Sequence, residues 1–172
     1  MGCADWVSFI DANRGFALCG LPRNPGPGMA SKALWRTVDG GEHWALVAES
    51  AREAYQQRPG ELPLAGYASG LHFRTVEEGW IALSRGGLLY THDGGKTWYS
   101  QIAERFAGRP PVDQGIDYSE AAAVQFVSGE QGRAVLSRVN LAATEDGGRT
   151  WRIIFPPAAA PNRESTLRRR GG

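Results

Sequence analysis

Short apolar runs broken by polar, turn-forming residues fill the chain. Trp6-Val7-Ser8-Phe9-Ile10 and Gly15-Phe16-Ala17-Leu18-Cys19 enclose Asp11-Ala12-Asn13-Arg14, which predicts two strands joined by a turn. The hairpin returns twice: Phe9 precedes Gly15 by six positions, Phe73 precedes Gly79 by six, and Phe126 precedes Gly132 by six. A third strand is expected over residues 32–37, 88–91 and 141–144, and a fourth over 44–47, 98–102 and 151–155. With 23 Gly, 10 Pro and no long stretch of helical spacing, the pattern reads as all-β with many turns.

Strands three and four are joined each time by one octapeptide. It reads Thr37-Val38-Asp39-Gly40-Gly41-Glu42-His43-Trp44, then Thr91-His92-Asp93-Gly94-Gly95-Lys96-Thr97-Trp98, then Thr144-Glu145-Asp146-Gly147-Gly148-Arg149-Thr150-Trp151. Trp44 and Trp98 are 54 positions apart, Trp98 and Trp151 are 53 apart, and that period fits one four-stranded sheet per repeat. The expected fold is therefore three four-stranded antiparallel β-propeller blades, spanning about residues 4–48, 67–103 and 121–155. Three blades are either part of a larger propeller or half of an oligomeric ring, unless the tail and long connections cover their open edges.

Each residue type in the octapeptide has a structural task. The Asp is expected to accept hydrogen bonds from backbone N–H groups one or two residues on, and the Gly pair supplies positive φ. The Thr hydroxyls tie the strand ends together, and the Trp fills its own sheet. The structural positions are Thr37, Asp39, Gly41 and Trp44; Thr91, Asp93, Gly95, Thr97 and Trp98; and Thr144, Asp146, Gly148, Thr150 and Trp151. Side chains so engaged, one carboxylate per blade, cannot form the carboxylate pair about 5–9 Å apart that a glycosidase needs.

Distance from the hairpin Gly to the first Thr of the octapeptide is 12 residues in the second and third repeats but 22 in the first. The extra ten fit residues 21–30, a Pro- and Gly-dense loop between strands two and three. Blade-to-blade connections cover 49–66 and 104–120, and residues 51–58 could hold a short helix ended by Pro59. Residues 156–172 form a Pro/Ala/Arg-rich tail expected to be disordered. Alternation of strand direction puts the octapeptides on one face and all three long segments on the other. Arg23, Arg85 and Arg138 fall on that second face, where guanidinium groups suit planar recognition of carboxylates, so they are the candidate partner-binding residues.

A formal net charge of +1 argues against wholesale attraction to nucleic acid, and the triple Arg168-Arg169-Arg170 has no stacking aromatics beside it. No apolar run approaches the length of a membrane span. The start lacks signal-peptide character, which implies a cytoplasmic protein if Met1 is the natural start and an exported one if a leader is missing. Cys3 and Cys19 lack metal or redox spacing and read as two small hydrophobes in preference to a disulfide. His43, His72 and His92 form no metal-spaced pair, and an octapeptide offers calcium no second carboxylate. No catalytic residue, metal or cofactor is expected. Arg74, Asp113, Asp117, Tyr118 and Glu120, the residue types a sialidase would use, are scattered and sit in no motif.

The octapeptides match the S-x-D-x-G-x-T-W pattern of Asp-box, or BNR, repeats, with Thr in the first position. Leu71-His72-Phe73-Arg74, then Glu78-Gly79-Trp80-Ile81-Ala82, then residues 86–98 resemble one full blade of the photosystem II assembly and stability factors, a sialidase-like repeat family. The likeness covers about residues 4–155. It implies a non-enzymatic scaffold for protein–protein interaction, with a protein partner, self-association that closes the propeller, and carbohydrate as the other candidate ligand. The competing readings are part of a sialidase-like or glucan-cleaving glycoside hydrolase, or a sugar-binding lectin. The chain departs from the pattern at His43, which stands in place of Thr, and at Gly132-Arg133, which replaces the Gly-aromatic pair of the other repeats.

Overall fold

The computed structural model describes residues 4–23, 26–51, 58, 60–100, 121–136, 140–148 and 150–155. These contain three four-stranded antiparallel sheets and no helix. Strands β1 (Ala4–Phe9), β2 (Gly15–Gly20), β3 (Lys32–Thr37) and β4 (Ala45–Glu49) make the first sheet in chain order. The second comprises β5 (Tyr67–Phe73), β6 (Gly79–Ser84), β7 (Gly87–Thr91) and β8 (Tyr99–Ser100), and the third β9 (Ala121–Phe126), β10 (Gly132–Leu136), β11 (Asn140–Thr144) and β12 (Arg152–Phe155). The fourth strands start one residue after each Trp, because that residue's side chain turns back to cap its own turn. The expected 51–58 helix, the 104–120 connection, the tail and Cys3 lie outside or largely outside the described residues.

The sheets pack face to face in sequence: β1 and β2 touch β5, and β5 and β6 touch β9. Burial follows that order. The middle sheet is covered on both faces, so Gly79 to Leu83 are buried without alternation, whereas β1 is exposed along most of its length. One apolar cluster, with Phe16, Leu18, Leu34, Phe73, Ile81 and Leu89, fills the space between the first and second sheets. Another, with Trp80, Leu88, Val124, Phe126, Leu136 and Trp151, fills the space between the second and third.

A three-layer stack sets the spacing in both gaps. In every sheet the Phe six residues before the hairpin Gly lies directly over that Gly. A Cβ on Gly15 would come 2.8 Å from the Phe9 ring, one on Gly79 2.5 Å from Phe73, and one on Gly132 2.7 Å from Phe126. The other side of the ring is covered by the preceding sheet. Phe16 stacks on Phe73 with centroids 3.5 Å apart and planes 8° apart, and Trp80 stacks on Phe126 at 3.7 Å and 12°. Each octapeptide Trp then meets the edge of its own sheet's Phe: Trp44 on Phe9, Trp98 on Phe73 and Trp151 on Phe126, at 6.0 to 6.3 Å. Phe73 and Phe126 are 2% and 3% exposed, but Phe9, with no sheet before it, is 45% exposed.

Phe73→Ala opens a cavity between two sheets and should cost about 3–5 kcal/mol in urea unfolding. Phe9→Ala, which removes a half-exposed ring, should cost clearly less in the single chain.

Candidate functional site

The octapeptide turns share one hydrogen-bond scheme. In the first, the buried Thr37 Oγ1 donates to Asp39 Oδ1 (2.8 Å) and accepts the Gly41 N–H (2.9 Å). Asp39 Oδ1 accepts the His43 N–H at 3.0 Å, and Trp44 Nε1–H donates to the Gly41 carbonyl at 2.9 Å. The second turn repeats this with Thr91, Asp93, Gly95, Thr97 and Trp98. In the third, Thr144 and Asp146 bond Gly148 and Thr150 in the same way. In each turn the Asp Oδ1 thus accepts the N–H four residues on, not one or two as the sequence suggested. Thr takes the nearer N–H groups, which pushes the Asp across the turn. Both glycines of each pair have φ between 73° and 101°.

These turns are also fastened to the neighbouring hairpin turn, which puts the two on one face. Gly40 N–H donates to Asn13 O, Gly94 to Glu77 O and Gly147 to Glu130 O, at 2.8 to 2.9 Å. The hairpin turns carry a matching device that escaped the sequence reading: Asp11, Thr75 and Ser128 each accept two N–H groups of their own turn. His43 replaces a Thr hydroxyl with Nδ1, 2.7 Å from Asp39 Oδ2. Asp39, Glu42 and His43 come close enough together for a metal ion, but the latter two are exposed and His43 is already committed to Asp39. A cleft of about 630 Å³ between the first two sheets is lined by Arg36, Glu77, His92, Asp93 and Lys96, charges of both signs. Arg74 is ion-paired with Glu78, and His72 Nε2 lies 2.9 Å from the Phe126 carbonyl with its pKa lowered by burial.

The opposite face is built by the first-repeat loop and the connection after β4. Gly66 N–H donates to Gly28 O and Ala30 N–H to Leu64 O, both at 2.9 Å. Below them lies Lys32, 1% exposed, whose ammonium donates to the carbonyls of Ala30 (2.7 Å), Gly66 (3.0 Å), Leu64 and Ala65 (3.3 Å each). Burial pushes its pKa down to about 8, and the four carbonyls act in the other direction by favouring the charged form. Sequence pattern alone could not single out Lys32, because a Lys at the start of a strand ordinarily reaches solvent.

The candidate arginines fare differently. Arg23 is ion-paired with Glu49. Arg138 lies outside the described residues. Arg85 is exposed, makes no ion pair among the described residues, and its Nη1 lies beside Gly28, 3.9 Å from where a Cβ would sit. It has φ of 61°, the single positive value among described non-Gly residues.

No family model matches the chain, and no curated protein matches it. Solved structures similar in fold include the following two. One is described as YCF48 bound to D1 peptide, with TM-score 0.57 and 19% identity over 88% of this chain. The other is the GH74 enzyme of Niastella koreensis, with TM-score 0.57 and 21% identity over 90% of this chain. The chain spans 40% of the first structure and 23% of the second. This likeness, with the three sheets above, identifies the fold as β-propeller blades.

The turn carboxylates make acid sensitivity predictable. The His43 N–H and imidazole, with the Thr37 hydroxyl, hold Asp39 well below the usual carboxylate range. Burial pushes Asp93 up, but hydrogen bonds from Thr97 and Thr91 outweigh it and the net shift is downward. Such groups bind fewer protons folded than unfolded, so their stabilisation is complete above the ordinary value of 3.8 and is lost as pH falls through the lower folded values. Urea midpoints should slip modestly as pH falls from about 7 to about 5, where His72 of the unfolded chain takes up a proton that its buried ring resists, and drop further below about pH 4, with a shallower low-pH drop in Asp93→Asn.

Proposed function

We propose that this chain is a non-enzymatic scaffold, built on Asp-box blades of about residues 4–48, 67–103 and 121–155, that binds an acidic segment of a protein partner. The octapeptide face is chemically quiet. The Asp carboxylates of its turns are saturated by those turns, and its cleft mixes charges. The loop face is the better recognition surface, since its two long segments are stitched together and presented on rigid sheets.

One observation carries the reading: Arg85 holds a left-handed backbone conformation. Gly or Asn would occupy that turn position about 1–2 kcal/mol more cheaply, so the turn bears strain to keep a guanidinium there. Its exposed, uncommitted head beside Gly28 suits a carboxylate, which a guanidinium can engage through two parallel hydrogen bonds. In this reading Arg23 and Arg138 also contribute to recognition, with Arg23 able to exchange Glu49 for the incoming acid. The assembly-factor resemblance and the peptide-bound neighbour agree with a protein ligand.

Fluorescence anisotropy with labelled acidic peptides tests this. Arg85→Glu should weaken binding by about 10–100-fold. Arg85→Gly should weaken it too while raising stability by about 1 kcal/mol, which separates recognition from folding. Turnover of fluorogenic sialosides or glucan oligomers would overturn the scaffold reading in favour of a hydrolase. Binding of neutral glycans that ignores Arg85 would favour a lectin.

A further inference from the structure

Among the described residues, the outer faces of the first and third sheets carry the same register positions that the chain uses twice to pack one sheet on the next. The position after the hairpin Gly points towards the following sheet and caps that sheet's Phe: Phe16 caps Phe73, and Trp80 caps Phe126. The third occupant of this position is Arg133, exposed on the far face of the third sheet. The Phe that lacks a cap is Phe9, half-exposed on the near face of the first sheet. A planar guanidinium stacks on a phenyl ring and gains from its negative face, so Arg133 is a chemically suitable cap for Phe9.

A second series of contacts points the same way. The residue before each Phe reaches the backbone of the next sheet's Phe. Ser8 Oγ accepts the Phe73 N–H at 2.8 Å, and His72 Nε2 lies 2.9 Å from the Phe126 carbonyl. In the third sheet this residue is Gln125, exposed, whose side-chain amide can serve either as donor or as acceptor. The apolar positions follow suit. Leu18 and Leu34 of the first sheet, and Ala82 and Leu88 of the second, are buried against the sheet that follows, whereas their third-sheet counterparts Val135 and Leu141 are only half-buried.

We propose that a second copy of this chain completes the series, with the third sheet of each copy packed on the first sheet of the other through Arg133 on Phe9. Two identical contacts related by a twofold axis then close a ring of six blades, within the roughly four to eight of known propellers. The inference rests on the sheets alone and is independent of Arg85.

Sedimentation equilibrium of the 172-residue chain provides the test. The expected mass is twice 18.6 kDa. Phe9→Arg places like charges opposite each other and should weaken the dimer by about 100-fold. Adding Arg133→Glu to that variant should restore it, a rescue that a folding defect would not show. Arg133→Phe, which continues the aromatic series, should tighten it. A mass that stays at 18.6 kDa, one that grows beyond two copies, or a two-copy mass indifferent to these substitutions overturns the proposal.

Discussion

The fold depends on a phenyl ring held between a glycine of its own sheet and a flat side chain of the sheet before. Phe73 and Phe126 sit 3.5 and 3.7 Å from their caps and nearly parallel to them, so the gap between sheets is fixed by ring thickness. Gly is required beneath each ring, because any Cβ would occupy the space that the ring fills. The octapeptide Trp locks the same ring from the edge, and its indole N–H is anchored to a carbonyl of the turn. Turn chemistry and sheet packing thus meet at one side chain per blade. That also explains why Thr and Asp are so thoroughly engaged, since a loose turn would release the Trp and with it the ring.

Much of this was legible in the sequence, although the contacts behind the signals were not. The six-residue step from Phe to Gly aligned the repeats, and in the structure it is the spacing that folds the ring back over the Gly across the hairpin, as the Phe73–Gly79 pairing shows. The octapeptides marked the turns, but the reach of Asp39 and Asp93 depends on Thr37 and Thr91 taking the nearer N–H groups, a competition that residue identity does not reveal. Arg23 read as available because Glu49, its partner, is 26 positions away (49 − 23) and meets it only through the fold. Strand alternation placed Arg85 on the loop face. Its positive φ could not be read, because Arg is not a residue that signals a left-handed turn.

The two faces of the array differ in how far their polar side chains are committed to holding the fold. On the octapeptide side the Asp carboxylates are saturated by the turns they close. On the loop side, chain length has been added where it does not disturb the ring stacks, and a cationic group stands at its margin. The same fold in solved structures includes both a peptide-bound protein and a GH74 enzyme, so the sheets themselves are neutral about chemistry.

Lys32 gives the loop side a property of its own. One ammonium joins the first-repeat loop to the connection before β5 by four carbonyls that belong to both, so neither segment can shift without unseating a charge from its cage. Drift in length or sequence is therefore tolerable at the crest of either segment but constrained at its base, around Ala30 and from Leu64 to Gly66. A surface anchored in this manner can change what it presents over evolutionary time while keeping the platform beneath it fixed.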